Sequence, residues 1–182
     1  MKVLIDCGFH RGLVSERFLS ENPDSRVFAF EPNIAIAHRA VKDLSARFPD
    51  RLTFHESAVW TKEGVSCPFF IGKGDQQGSS LFGNKRNLSR LSVNVKTVCL
   101  SDFVKNLYCK DSEICLKLDI EGAEYPVLMQ MVRDGTLMLI SELTVEFHSR
   151  KIGDGTQFAE EDRFLRQYLT NQRFLKKCQI YH

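Results

Sequence analysis

Three carboxylates fall within six residues of the stretch LKLDIEGAEY, directly after an apolar run. Asp119, Glu121 and Glu124 are therefore predicted to follow the end of a buried strand. Placing several negative charges beside a buried strand costs free energy unless a bound ligand or a reaction at that place requires them. A purely structural role is the alternative, because Asp119 is able to cap the next helix and both glutamates would lie near its positive end. We interpret the acids as part of a reaction site, with Gly122 supplying the turn.

A histidine and a fourth acid end the next predicted strand, LISELTVEFH. Alternation along that strand places Glu146 and His148 on one face at its carboxyl end. Because an imidazole titrates near neutral pH, His148, oriented by a neighbouring carboxylate, is our first candidate for a general base, and Asp119 is the second. The alternative for His148 is an ordinary loop histidine.

The same residues are also a possible metal-ligand set. Asp119, Glu146 and His148 would together hold a divalent cation that acidifies a bound hydroxyl. We prefer catalysis without a metal, carried by His148, Asp119 and Glu121.

A glycine-rich turn, DCGFHRG, follows the first predicted strand. Gly8 and Gly12 frame this turn, and His10 stands where a dinucleotide-binding turn has its middle glycine. An imidazole there would obstruct a pyrophosphate, so the turn suits a ligand without phosphate, such as the methionine part of S-adenosylmethionine. The alternative is that the two glycines only make a tight turn.

Other residues are placed to contact the rest of such a cofactor. Asp6 would hold its ammonium group, directly or through water. Glu31 ends the second strand, where an acid conventionally binds both ribose hydroxyls, although it is also interpretable as a solvated strand end. Ser57 and Ala58 close the third strand, a natural position for adenine contacts. The predicted contacts to S-adenosylmethionine are Asp6, Gly8, His10, Gly12, Glu31, Ser57, Ala58 and Asp119.

Apolar strands alternating with amphipathic helices predict one α/β domain over residues 1–182 with a mainly parallel sheet. Residues 61–101 interrupt this rhythm and predict an inserted hairpin. Its polar loop, GDQQGSSL, is expected near the ligand, with Ser79 and Ser80 as partners for hydroxyl groups. The strands are predicted at 2–8, 26–32, 52–60, 113–120, 139–148 and 174–181, and the better-defined helices at 37–48, 125–132 and 158–171.

Composition excludes several classes of protein. The net charge of +2 provides no broad basic field for nucleic acid. The chain contains no apolar run of about 18 residues, which argues against a membrane span. Its six cysteines include no C-x-x-C pair, so we expect reduced thiols in a cytoplasmic protein rather than disulfides or a zinc site.

Several motifs occur in an order that resembles FkbM-type methyltransferases. They are DCGFHRG, FAFEPN, ESAVW, GSSL, VKTVCLSDFV, LKLDIEGAEYPVL and VEFH, within residues 3–148. The resemblance implies a Rossmann-like class I methyltransferase fold, S-adenosylmethionine as cofactor, and O-methylation of a hydroxyl on a sugar, a glycan or a related small molecule. It further implies cofactor contacts from Asp6, Gly8, Gly12, Glu31 and Ser57, and places Asp119, Glu121 and Glu124 at the reaction face.

The chain departs from the family pattern in two respects. Phe9 and His10 replace the usual small residue and asparagine of the first turn. The chain also looks short at both ends, so the alternatives are a domain of a larger enzyme and a naturally minimal enzyme that a homodimer would complete.

Two other functions remain as alternatives. The first is a nucleic-acid or protein N-methyltransferase, which the D-I-E-G sequence does not favour, because base methylation usually uses Pro-Pro and an aromatic residue there. The second is a noncatalytic cofactor-binding partner domain.

Overall fold

The computed structural model describes residues 1–181, so His182, the last residue of the predicted domain, lies outside the described residues. Six strands form a parallel central sheet. They are β1 (Lys2–Cys7), β2 (Arg26–Phe30), β3 (Leu52–His55), β7 (Glu113–Leu118), β8 (Glu142–Glu146) and β9 (Lys177–Tyr181).

The strand order identifies the fold class. The sheet reads β3-β2-β1-β7-β8-β9. Counted along the sheet strands alone, this is the order 3-2-1-4-5-6 of doubly wound nucleotide-binding folds. The predicted Rossmann-like α/β fold with a mainly parallel sheet is confirmed.

Five helices cover the two faces of the sheet. Side chains of α1 (Leu13–Glu21) and α2 (Ile34–Arg47) form one apolar cluster with β1 and β2. Side chains of α3 (Leu100–Leu107), α4 (Glu124–Arg133) and α5 (Ala159–Thr170) form a larger cluster on the other face. Both faces of β1 are buried, which explains why its sequence is apolar throughout. Within residues 1–181, every helix is too short or too polar to cross a bilayer.

The predicted hairpin is present as a small second sheet. It consists of β4 (Ala58–Trp60), β5 (Ser66–Gly72) and β6 (Leu88–Cys99), in the order β4-β6-β5. β5 and β6 are antiparallel, and the loop 73–87 joins them. The insertion therefore enters from β3 and returns to the main domain at α3.

Some predicted boundaries were wrong. Residues 52–60 form two strands in different sheets rather than one, because the chain bends between His55 and Ala58. The predicted strand 139–148 is shorter, since 3-10 helices at Thr136–Leu139 and Ser149–Lys151 flank β8. Helix α3 was not predicted at all.

Candidate functional site

A cleft of about 310 Å³ opens at the carboxyl ends of β1, β2 and β7. The strand order reverses between β1 and β7, and ligands of open α/β sheets bind beside this reversal. The volume lies at the lower end of the range of about 300–1,000 Å³ for small-molecule sites. The turn after β1, the end of β2, the start of β4, the loop 73–87 and the acidic turn after β7 all contribute to its wall.

The turn after β1 requires glycine at two positions. Gly8 has a φ of +85°, and a Cβ atom there would lie 2.0 Å from the backbone oxygen of Asp119. Only glycine lets β1 leave the sheet so close to the end of β7. Gly12, with φ +74°, begins α1, and a Cβ atom there would lie 2.6 Å from the ring of Phe9.

Phe9 and His10 both border the cleft, but their side chains have different surroundings. The Phe9 ring is buried and packs edge-on against Phe54 at 5.6 Å, so the bulkier residue is directed into the core. His10 lines the cleft, and its buried Nε2 atom has no hydrogen-bond partner among residues 1–181. Burial lowers the pKa of His10, so its ring is neutral at physiological pH. A polar atom without a partner in a cleft wall is suited to meeting a ligand.

Glu31 directly follows β2, which ends at Phe30 rather than at residue 32 as predicted, and lines the same cleft. The backbone N–H groups of His10 and Asn33 each donate to one of its carboxylate oxygens, both at 3.0 Å. A carboxylate has about four acceptor positions, so two remain for ligand hydroxyl groups. Burial raises the pKa of Glu31 above its ordinary value, although these two hydrogen bonds oppose the shift.

A lysine whose side chain is only 13% exposed connects β1 with the acids after β7. Lys117 donates from Nζ to the carbonyl oxygen of Gly8 at 2.6 Å, and Nζ lies 3.4 Å from Asp6 and 3.5 Å from Asp119. Burial alone would lower the pKa of Lys117, but the two carboxylates raise it. Asp6 is fully buried beneath the turn and also accepts a hydrogen bond from Ser15 at 2.6 Å. Lys117 therefore compensates the charge that Asp6 and Asp119 bring to this position.

The D-I-E-G sequence forms a tight turn with two left-handed residues. Glu121 has φ +55° and Gly122 has φ +114°. A Cβ atom at Gly122 would meet Ile152 at 2.8 Å, so Gly122 supplies the turn as predicted. A positive φ is unusual for glutamate and carries strain, which occurs most often at functional sites.

The Glu121 side chain is held by a second lysine. Lys85 lies in the inserted loop, is 7% exposed, and places Nζ 3.1 Å from the Glu121 carboxylate and 2.8 Å from the carbonyl oxygen of Gly78. Ser80 donates to the Glu121 carbonyl oxygen at 2.6 Å. These contacts attach the inserted loop 73–87 to the D-I-E-G turn, residues 119–122.

Ser79 and Ser80 both use their hydroxyl groups within the protein. Ser79 lines the cleft, but its hydroxyl donates to the carbonyl oxygen of Gln76 and accepts from the N–H of Gly72. The predicted contacts of these serines with an acceptor molecule would need these bonds to rearrange.

His148 lies behind the acidic wall, at the entry to the 3-10 helix after β8. It is 2% exposed, and its Nδ1 atom is 2.7 Å from Oε1 of the fully buried Glu124. This glutamate is the orienting carboxylate that the sequence analysis anticipated. The Nε2 atom points at three other carboxylates, 3.2 Å from Glu146, 3.3 Å from Glu121 and 3.8 Å from Asp119.

Glu124 organises this arrangement from the first turn of α4. It accepts hydrogen bonds from the N–H groups of Gly122 at 2.7 Å and Ile120 at 3.2 Å, so it also shapes the D-I-E-G turn. Burial alone would lower the pKa of His148, but Glu124 and then Glu121 raise it above its ordinary value.

Most of the predicted site residues share one cleft. Those in its wall are Gly8, His10, Glu31, Ser57, Ala58, Asp119 and Glu121. Asp6 lies beneath the turn, Gly12 packs against Phe9, and His148 touches the cleft only through Asp119 and Glu121. The cofactor and catalytic roles assigned to these residues stay predictions.

The sequence analysis missed Lys117 and Lys85. A lysine inside the apolar strand EICLKL was a usable signal, because lysine is rarely buried without a partner. Lys85 carried no comparable signal, since it lies in a polar loop and meets Glu121 only through the fold.

Comparison with protein families gives one match. The model described as "Methyltransferase FkbM domain" matches residues 6–176, nearly the whole chain. Neither the search of curated proteins nor the search of solved structures returned a match.

Proposed function

The chain belongs to the FkbM methyltransferase family, and from this premise we propose that it transfers a methyl group from S-adenosylmethionine to a hydroxyl of a sugar, glycan or related small molecule. One observation carries the proposal: the glycine turn, Glu31 and the acids after β7 line a single cleft. Donor-side and acceptor-side groups are therefore within reach of one ligand pair.

The residues of the cleft fit the proposed cofactor. Glu31 has free acceptor positions for ribose hydroxyls, and Ser57 and Ala58 adjoin it at the start of β4. His10 offers an unpaired ring nitrogen from the turn. When bound, S-adenosylmethionine supplies a methyl group activated by a positively charged sulfur.

The acidic end of the cleft is suited to an acceptor hydroxyl. Methyl transfer is an in-line displacement, so the acceptor oxygen must be held close to the donor and aligned with it. Asp119 lines the cleft with a side chain 35% exposed, and an ionised carboxylate offers only acceptor positions to a hydroxyl group. His148 lies directly behind it. The predicted base His148 would thus act on the hydroxyl together with Asp119 rather than alone.

Charge at this end disfavours nucleic acid as the acceptor. Asp119, Glu121 and Glu146 surround the Nε2 atom of His148, and phosphates would be repelled by such a group of carboxylates. Sugar hydroxyls, in contrast, donate readily to carboxylates.

Ligand binding tests the cofactor assignment. We expect S-adenosylhomocysteine, the demethylated product, to raise the thermal midpoint and NAD to leave it unchanged. At 100 times Kd the stabilisation should be about 2.7 kcal/mol. No shift at millimolar S-adenosylhomocysteine, checked by calorimetry, would refute the cofactor assignment.

Replacement of Asp119 tests whether the cleft is catalytic. Asp119→Asn keeps the shape but removes the charge, and we expect turnover to fall by about 10²–10⁴ while S-adenosylhomocysteine still binds. The measurement is transfer of radiolabelled methyl groups to a panel of sugars and glycans, with RNA and protein as comparison substrates. Labelling of RNA or protein alone would support the N-methyltransferase alternative, and cofactor binding with no transfer to any class would support the noncatalytic one.

A further inference from the structure

We propose that Asp119, Glu146 and His148 form a binding site for a divalent first-row transition-metal cation next to the cleft. One ligand atom from each residue lies within 4.8 Å of the others. Two ligands on opposite sides of an ion at about 2.2 Å would be about 4.4 Å apart, so a small contraction of the group suffices.

The ring of His148 is arranged as in metal-binding histidines. Its Nδ1 atom lies 2.7 Å from the buried Glu124 carboxylate, the geometry in which the Nδ1–H of a neutral ring donates to an ionised carboxylate. Metal-bound histidines usually make such a bond to a carboxylate, which leaves the other nitrogen free to coordinate. The Nε2 atom of His148 has no hydrogen bond to any residue of the described chain 1–181, although the side chain is only 1% exposed.

In the described part of the chain, the lysines near this group of carboxylates pair with some of the acids but not with Glu146. Lys85 pairs with Glu121, and Lys117 pairs with Asp119 and Asp6. Glu146 has no lysine or arginine within 4 Å among residues 1–181, and its oxygen faces the Nε2 atom of His148 at 3.2 Å. A divalent cation bound to Nε2 would take the place of a proton there and bring one more positive charge to Glu146, His148 and Asp119.

The site is open on one side. The side chains of Asp119 and Glu146 are 35% and 37% exposed, and both border a second hollow beside β7 and β8. Asp119 also lines the ligand cleft. An ion here would have an entry path and would retain positions for water or for an oxygen of the acceptor.

The donor atoms indicate the class of metal. Two carboxylates with one imidazole suit Mn²⁺, Fe²⁺ or Zn²⁺ better than Mg²⁺ or Ca²⁺, which prefer oxygen ligands alone. A cation at this position would lower the pKa of a bound hydroxyl, and this role rests on the proposed function. Binding of the cation does not depend on that function.

Titration of chelator-treated protein with Mn²⁺ tests the site. Free Mn²⁺ has a strong electron paramagnetic resonance signal that weakens on binding, so the method counts sites without any turnover. We expect one site per chain, and displacement of Mn²⁺ by Zn²⁺, which binds N/O sites more tightly. Loss of signal that Zn²⁺ does not reverse, or no binding up to millimolar Mn²⁺, would overturn the proposal.

A matched pair of variants on β8 locates the ion. Glu146→Gln should weaken Mn²⁺ binding at least tenfold, whereas Glu142→Gln should change it less than twofold, because Glu142 pairs with Lys2 at the other end of the strand. Circular dichroism verifies that both variants fold. Equal Mn²⁺ affinity in the two variants would place the ion elsewhere and refute the site.

The same samples separate this proposal from the proposed function. S-adenosylhomocysteine binding by metal-free protein reports on the cofactor cleft alone. Cofactor binding without Mn²⁺ binding would refute only the metal site, and Mn²⁺ binding without cofactor binding would refute only the cofactor assignment.

Discussion

Glu31 carries its charge at a buried position that opposes ionisation. Burial raises the pKa of Glu31, and the hydrogen bonds from the N–H groups of His10 and Asn33 offset only part of this rise. An ionised carboxylate accepts hydrogen bonds on both oxygens, whereas a protonated one must donate from one of them. Its proposed role on the ribose therefore requires the ionised form.

Cofactor binding should accordingly weaken at mildly acidic pH. As pH falls through the raised pKa of Glu31, protonation competes with the ligand, and affinity should fall by up to about tenfold per pH unit below that pKa. Because the pKa is raised, this loss begins at a higher pH than for an ordinary glutamate. Calorimetry with S-adenosylhomocysteine between pH 8 and pH 5 measures it.

The variant Glu31→Gln serves as the control for other titrating groups. It should bind weakly at every pH and lack the Glu31-dependent loss of affinity. An identical pH profile in the variant and the wild type would rule out Glu31 as the responsible group.

The predictability of individual residues from sequence depended on their neighbours along the chain. Glu31 and Asp119 follow apolar runs, so the pattern placed them at strand ends. The pairing of Glu124 with His148 required the fold, because the two residues belong to different elements. Fully buried charged residues are rare, and their partners are set by three-dimensional proximity.

At the scale of elements, the inserted loop 73–87 is anchored through buried polar contacts. Lys85 forms an ion pair with Glu121 and donates a hydrogen bond to the carbonyl oxygen of Gly78, and Ser80 donates to the Glu121 carbonyl oxygen. At the far end of the loop, Gln76 accepts a hydrogen bond from Asn33 at 2.7 Å. The loop is thus fixed over the cleft from both sides.

Removal of the Lys85 charge should release the loop. Lys85→Met removes the lysine that pairs with the mostly buried Glu121, and we expect a loss of about 3–5 kcal/mol in the free energy of unfolding. Urea denaturation measures this loss, and limited proteolysis should show faster cleavage within 73–87. Lys73→Met, at an exposed position of the same loop, should change stability by less than about 0.5 kcal/mol. Equal effects of the two substitutions would contradict the anchoring role of Lys85.

Errors in the predicted elements have local causes. Helix α3 was missed because β6 runs into it without a polar break, from Cys99 to Leu100. The division of residues 52–60 was missed because both halves are apolar enough for strands. A bend between two sheets leaves no periodicity in so short a segment.

At the scale of the whole molecule, β1 is the centre of the domain. It pairs with β2 on one side and β7 on the other, and its turn forms the floor of the cleft. The parallel fold could be predicted from the alternation of strands and helices. The assembly of the cleft could not, because it depends on where the insertion packs.

Hydrogen exchange should show how protection from exchange differs between the centre of the sheet and the cleft. Amides of β1 and β7 should exchange most slowly, because these are the two central strands and lie furthest from the edges of the sheet. S-adenosylhomocysteine should slow exchange in the first turn, residues 8–12, and in the loop 73–87, while helix α5 stays unchanged. Mass spectrometry of peptic fragments reads these segments separately. A uniform slowing throughout the chain would indicate global stabilisation without a localised cleft.

The position of the insertion has an evolutionary consequence. The loop 73–87 within the insertion contributes part of the cleft wall, while Glu31 and the acids after β7 directly follow strands of the central sheet. Lengthening or rewriting this loop would change which molecules enter the cleft, while the predicted cofactor contacts Ser57 and Ala58 at the start of β4 would keep their positions. Exchange of this one loop would therefore adapt the domain to new acceptor molecules.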